Sequence, residues 1–347
     1  MGKTSSQLQP GLHKLDDNRH LLVLPLIVDV LPMTYPEVSR RLVQLIIKRT
    51  LSKSFAKLAW SEPVLVAYWW MFPELTAGKI WRFRIFDVID RHWGYAYEKN
   101  DKIRNRNFAL AVETGRAANK VLAVSESLTA ELADQVSVDV LPNAIDLSRV
   151  AGVVSRYPKT RMRTAVYAGG WNERLDVNLL LKLVERNPTW NFHFLGASAD
   201  SRFVDFDNVR FFGDVSYDIV ISELSQAQIG LVPFVSNAYT ESSNLLKVLD
   251  YLATGVVIGS TKLVSLTPWA DKYPSRFKLL GSLDEWDSFF ASAEDLCETE
   301  DHAYAEPDMM QYSTASRARA LVSSPGVVDA PVFPDRDAAN TRRAKLD

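Results

Sequence analysis

The 347-residue sequence has one cysteine, Cys297, which excludes an intrachain disulfide framework and a cysteine-rich metal site and fits a reducing compartment. Its five histidines are scattered, with His13 and His20 far in sequence from His193 and His302, so no metal-ligand cluster is visible and no metal is expected. Neither charge sign dominates: 40 Lys and Arg against 42 Asp and Glu leave a net charge of −2, which argues against a nucleic-acid partner. No apolar run reaches the roughly 18 residues needed to cross a bilayer. The first twenty residues are polar and lack the apolar core of a secretory signal. Glycine is sparse, 15 in all, for a protein that must turn backbone corners near ligands. What is present is an ordinary globular composition, 47% hydrophobic and 24% charged, with length enough for two cores. A cytoplasmic protein is expected, either free or peripheral at the inner face of the membrane.

Strand-like and helix-like stretches alternate along the chain, which indicates parallel sheets with helical crossovers. Residues 20–30 form an apolar run that reads as a buried strand bent at Pro25. Residues 37–60 have helical periodicity and carry Arg40, Arg41, Lys48, Arg49, Lys53 and Lys57 against the single acid Glu37. Such a helix either packs on a sheet with a basic outer face or lies on an anionic membrane surface. Two strand-like runs follow, residues 63–71 and 79–89, and the second leads into Asp87, Asp90, Arg91 and His92. Ligands of open α/β sheets bind beyond the carboxyl ends of strands. Asp87 or Asp90 is therefore a candidate general base toward a substrate hydroxyl, with His92 as competitor, or else these residues cap the next helix.

Residues 1–150 read as one domain and residues 151–322 as a second, with a non-periodic linker over 148–163 and a disordered tail over 323–347. The second domain restarts with a strand, the pair Gly169 and Gly170, and a helix over 176–186 stopped before Pro188. Further strands are expected at 191–195, in VRFFGDV, in IGLVPF and in VVIGST. The most informative stretch is residues 239–255, YTESSNLLKVLDYLATG, a polar loop running into an apolar helix that stops at glycine. Ser242, Ser243 and Asn244 are suited to cap such a start. Lys247 lies about one turn in, with Asp250 at i+3 on nearly the same face, placing a cation for phosphate beside a carboxylate for ribose hydroxyls. The alternative is a capped amphipathic helix with a solvated Lys–Asp pair.

The order and spacing of these motifs, from strand–GG–WNERLDVNLLLKL through NVRFFGDV and IGLVPF to SSNLLKVLDYLATGVVIGST, resemble the donor domain of GT-B-fold glycosyltransferases. The resemblance covers residues 164–262 and, more loosely, the SESL and VLPNAID segments. It implies an α/β fold of two Rossmann-like domains with parallel sheets facing across a cleft, the first accepting and the second donor-binding. It implies that Gly169, Gly170, Asn172, Arg174, Ser243, Asn244, Lys247 and Asp250 line a nucleotide-sugar site, with Lys247 neutralising the diphosphate and Asp250 standing where relatives have a glutamate. Transfer would then need no metal, because N–H dipoles and an ammonium stabilise the departing diphosphate. Three departures stand out. Where many relatives have two glutamates this chain has Ser242 and Asp250, with Glu241 as a neighbouring substitute. Some twenty polar residues precede the first strand, so the first βα unit is expected to be missing or built differently. Glycine is scarce throughout.

The expectation is a glycosyltransferase moving sugar from a nucleotide-activated donor to a saccharide or lipid-linked acceptor in polysaccharide or glycolipid assembly. The alternatives are a non-catalytic nucleotide- or partner-binding protein of the same fold, and a sugar-nucleotide epimerase, which would need acids and bases that the sequence does not display.

Overall fold

The computed structural model describes residues 11–15, 20–23, 38–60, 63–94, 100–156, 161–196, 198–298 and 307–323. The chain divides into two compact units. The smaller comprises Met1–Asp87, Lys102–Leu122 and Leu132–Val138; the larger comprises Val88–Asp101, Ala123–Glu131 and Asp139–Asp347.

In the smaller unit, β1 (Gly11–Lys14) and β2 (His20–Val23) form an antiparallel hairpin. The expected first strand is thus paired by an earlier one, drawn from the segment read as polar lead-in; the rest of that run, residues 24–30 with Pro25, lies outside the described residues. Helix α1 (Val38–Leu58) buries Val43 and Ile47, one turn apart, against Phe72 and Leu75 of the segment holding the short helix α2 (Pro73–Thr76). Strand β3 (Val64–Ala67) pairs in parallel with β4 (Phe83–Val88). Helix α3 (Asp101–Ala117), β5 (Lys120–Ala123), α4 (Glu126–Ala133) and β6 (Asp139–Val140) follow in the chain, most of α4 and all of β6 being counted with the larger unit, and the sheet order is β3-β4-β5-β6.

The larger unit begins its own core with α5 (Leu147–Val154), which falls where the sequence reads as linker. Asp146 caps it through Arg149 N–H, and Val150 and Val153 are buried on one face. Eight residues with one cap are too short a signal to separate from loop. Strand β7 (Met162–Ala168) is central, buried over its last five residues, and pairs in parallel with β8 (Asn191–Leu195), which pairs with β9 (Val209–Gly213). Helix α6 (Val177–Arg186) connects β7 to β8, capped by Asp176, and α7 (Tyr217–Gln226) leads into β10 (Ala227–Val232) on the other side of β7.

The run continues through α8 (Leu246–Thr254), β11 (Val257–Thr261), α9 (Thr267–Lys272) and β12 (Phe277–Leu280), and ends with α10 (Leu283–Glu298) and α11 (Thr314–Val322). The sheet order is β12-β11-β10-β7-β8-β9, every neighbour parallel. This is the doubly wound order, and the chain reverses its direction of travel between β7 and β10. In sheets of this order the ligand crevice lies beyond the carboxyl ends of those two strands.

Helix α8 is fixed over that point by one residue. The Tyr251 side chain is fully buried; its hydroxyl accepts from Ala168 N–H at 3.0 Å and donates to the Leu231 carbonyl at 3.2 Å. Gly230 makes room for the ring, since a Cβ there would lie 2.5 Å from it. Gly255 ends the helix in the left-handed region, φ 79, which a side chain rarely adopts.

Candidate functional site at the strand crossover

Strand β7 delivers Gly169 to the crevice, and β10 delivers Pro233 and Phe234. Gly169 has φ 148, and a Cβ there would stand 2.8 Å from Lys247 Nζ. The positive φ and the nearby ammonium both suit a residue without a side chain. Lys247 Nζ lies 4.1 Å from the centroid of Tyr167 and 4.5 Å from that of Phe234. Both faces attract a cation. Among the described residues Lys247 has no hydrogen-bond or ion-pair partner. Burial pushes its pKa down to about 7; the charge of Arg174 acts in the same direction and Asp250 against it. A largely desolvated ammonium beside a second cation, with aromatic faces rather than a carboxylate against it, has the chemistry to receive an anion.

Arg174 is held at both ends. Asn172 Oδ1 accepts from its backbone N–H and from Nε, each at 3.1 Å. Its guanidinium lies 5.4 Å from the Tyr239 ring centroid, and Nη1 donates to Tyr239 Oη at 3.4 Å. The Gly170 carbonyl accepts from Tyr167 Oη at 2.8 Å. Asp250 is buried, accepts from Tyr217 Oη at 2.5 Å, and has its pKa raised to about 6 by burial, against the pull of Tyr217 and Lys247. Arg149 lies over the Tyr217 ring at 5.1 Å while pairing with Asp218 at 2.7 Å.

Several expected residues have other partners. Helix α8 starts at Leu246, with Leu245 at its cap position and no side-chain cap, so Lys247 is in the first turn rather than a turn in. Ser242 and Ser243 are not its caps: both hydroxyls donate back to the Tyr239 carbonyl, at 3.0 and 2.9 Å, closing a 3-10 turn over Thr240–Ser242. A hydroxyl three or four residues past a carbonyl finds it without extra ordering, and that local bond wins. Asn244 offers its carbonyl to Asn143 Nδ2 at 2.9 Å. Glu241 is engaged by Ser236 Oγ at 2.6 Å and by Val264 N–H, which draws it away from the role of a substitute ribose acid.

Of the three candidate bases, Asp87 is fully buried inside β4 and belongs to the smaller unit. Asp90 and His92 belong to the larger one. Asp90 accepts from Arg91 N–H at 2.8 Å through Oδ1 and from Tyr239 Oη through Oδ2. Arg91 and Trp93 converge on Glu131, at 2.7 to 2.8 Å, and fix the loop. His92 has its pKa lowered by burial, with Asp90 opposing. Tyr239, which joins Asp90 to Arg174, is the residue that sequence reasoning passed over. Its partners are 149 and 65 positions away, and no local pattern signals such a contact. Among the described residues no group of three or more His, Cys, Asp or Glu is placed to hold a metal ion.

No family model and no curated protein matches the sequence. Solved structures do match in fold. Sucrose-phosphate synthase (tll1590) from Thermosynechococcus elongatus superposes with a TM-score of 0.59 at 14% identity, over 97% of this chain and 86% of that one. Anabaena Alr3699/HepE, solved in complex with UDP and glucose, gives 0.55 at 12% identity over 80% and 81%. WaaG, a glycosyltransferase involved in lipopolysaccharide biosynthesis, gives 0.50 at 12% identity over 81% and 82%. The chain has the mixed α/β, Rossmann-like architecture of the GT-B fold, as the sequence motifs implied.

Proposed function

We propose that the protein is a glycosyltransferase that takes sugar from a nucleotide-activated donor and passes it to a saccharide or lipid-linked acceptor in polysaccharide or glycolipid assembly. The observation that carries this reading is the Lys247 ammonium, held by Tyr167 and Phe234 with no carboxylate partner among the described residues, beside Arg174 and over Gly169 at the strand crossover. A nucleoside diphosphate bound there supplies the missing negative charge. One fold neighbour, Anabaena Alr3699/HepE, was solved with UDP, both with and without glucose, which supports a nucleotide-sugar donor.

As the glycosidic bond to the diphosphate breaks, negative charge grows on the departing oxygen. Lys247 and Arg174 stabilise it more in the transition state than in the ground state, which is what accelerates the reaction. On this reading no metal and no cofactor takes part. Asp250, steadied by Tyr217, faces the ribose hydroxyls, and Ser243, Asn244, Gly170 and Asn172 shape the backbone around the phosphates. Asp90, or His92 beside it, takes the proton of the acceptor hydroxyl, since Asp87 is enclosed in its strand.

The test is release of UDP and transfer from a panel of UDP-sugars, with Lys247→Ala expected to lower turnover at least about tenfold, the equivalent of roughly 1.4 kcal/mol. Unchanged turnover in that variant sinks the assignment, and an epimerised sugar nucleotide without UDP release points to an epimerase. A second reading, binding without turnover, is favoured by one observation: Ser242 and Glu241 are both tied into the local turn, which leaves Asp250 as the carboxylate on the helix side of the site. UDP binding with no turnover across the panel would select it.

We also propose that the protein works at an anionic membrane surface through α1. Val43 and Ile47 face the core, while Val38, Leu42 and Leu45 form a second, exposed apolar row, 81%, 49% and 44% accessible. Exposed Arg41, Lys48, Arg49, Lys53 and Lys57 flank it, and the helix has no acid; Arg40 is tied to Glu74 at 2.6 Å. Apolar side chains between lysines suit an acyl boundary under charged headgroups. Among the described residues no helix is long and apolar enough to cross a membrane.

A further inference from the structure

Tyr239 is 5% exposed, yet its hydroxyl lies between two groups of opposite charge: it donates to Asp90 Oδ2 and accepts from Arg174 Nη1 at 3.4 Å. Asp90 and Arg174 make no ion pair with each other, although one phenol oxygen reaches both. Opposite charges this close, half out of water, ordinarily close on one another. The backbone around the phenol is unusually well fixed. Tyr239 N–H donates to Asn237 Oδ1 at 3.0 Å, and its carbonyl collects the hydroxyls of Ser242 and Ser243 at 3.0 and 2.9 Å. Arg174 is anchored from behind by Asn172 Oδ1 and through its carbonyl by Val235 N–H at 2.8 Å. Asp90 is anchored by Arg91 N–H.

We propose that Tyr239 is a positioning residue that keeps Asp90 and Arg174 apart. By giving the carboxylate a hydrogen bond and taking one from the guanidinium, the phenol holds the two charges in line without letting them neutralise each other. Arg174 stays available to the donor diphosphate, and Asp90 keeps its remaining lone pairs for an acceptor hydroxyl. This inference rests on the donor-site reading above. It also gives the serine pair a function distinct from phosphate binding, namely to lock the turn that carries Tyr239.

The experiment uses the full chain and UDP as probe, in titration calorimetry at pH 7. Tyr239→Phe keeps the ring on which the guanidinium lies and removes only the oxygen, so Asp90 can capture Arg174. UDP should bind about five- to tenfold more weakly. Adding Asp90→Asn to Tyr239→Phe removes the capturing charge, and affinity should return to within about twofold of the wild type. Asp90→Asn alone should bind UDP as the wild type does while losing turnover. A purely structural role for Tyr239 would not be relieved by a second substitution at Asp90. The proposal is overturned if Tyr239→Phe binds UDP like the wild type, or if the double variant binds no better than Tyr239→Phe. Failure of the wild type itself to bind UDP or any other nucleoside diphosphate would instead overturn the donor-site reading.

Discussion

Lys247 and the lysines of α1 carry the same ammonium in opposite surroundings. Lys247 is desolvated between two aromatic rings, and its pKa falls to about 7. Lys48, Lys53 and Lys57 are exposed on a helix without acids. The difference teaches what each can do. A single buried cation pays a desolvation cost that one bound anion can offset, so it defines a discrete site. Exposed cations are screened one by one and act only together, on a surface that is itself charged.

The largest effect that separates the two belongs to α1. Each lysine or arginine near an anionic surface contributes about 1 kcal/mol, so neutralising Lys48, Arg49 and Lys53 together should weaken co-sedimentation with anionic vesicles by about 100-fold, with UDP binding unchanged. Absent or salt-insensitive vesicle binding in the wild type breaks this half of the comparison. Gly169→Ala should be next in size. Its φ of 148 disfavours a side chain, and the added Cβ would meet Lys247 Nζ, so UDP affinity in calorimetry should fall about tenfold. Wild-type affinity in Gly169→Ala would mean that the ligand does not approach the backbone there.

Smaller, and peculiar to the buried cation, is a proton effect. With its pKa lowered to about 7, Lys247 is charged below that value and increasingly neutral above it. Diphosphate needs the charged form, so binding should draw a proton onto the lysine above pH 7. At pH 8 the observed enthalpy should differ between HEPES and Tris in the sense of proton uptake, and the difference should vanish in Lys247→Met. The exposed lysines of α1 have no part in this signal.

The architecture was legible because it repeats. Branched and aromatic runs at regular spacing mark β7 to β11, with helical periods between them, and a parallel alternating sheet follows from that rhythm. What escaped was short: β12 is four residues, and α5 is eight. The site was half legible. Lys247 and Gly169 stand in patterns that local chemistry explains, and the structure brings them within contact of each other. The serines were misread because a nearby carbonyl competes for their hydroxyls. The Asp90–Tyr239–Arg174 line was invisible because its three members come together only through the fold.

The central claim is that the crossover of β7 and β10 binds a diphosphate through Lys247. Calorimetric titration of UDP at pH 7 into the wild type and Lys247→Ala tests it directly. The account predicts measurable binding by the wild type and at least a tenfold loss, about 1.4 kcal/mol, in the variant. Equal affinity in the two proteins would contradict it.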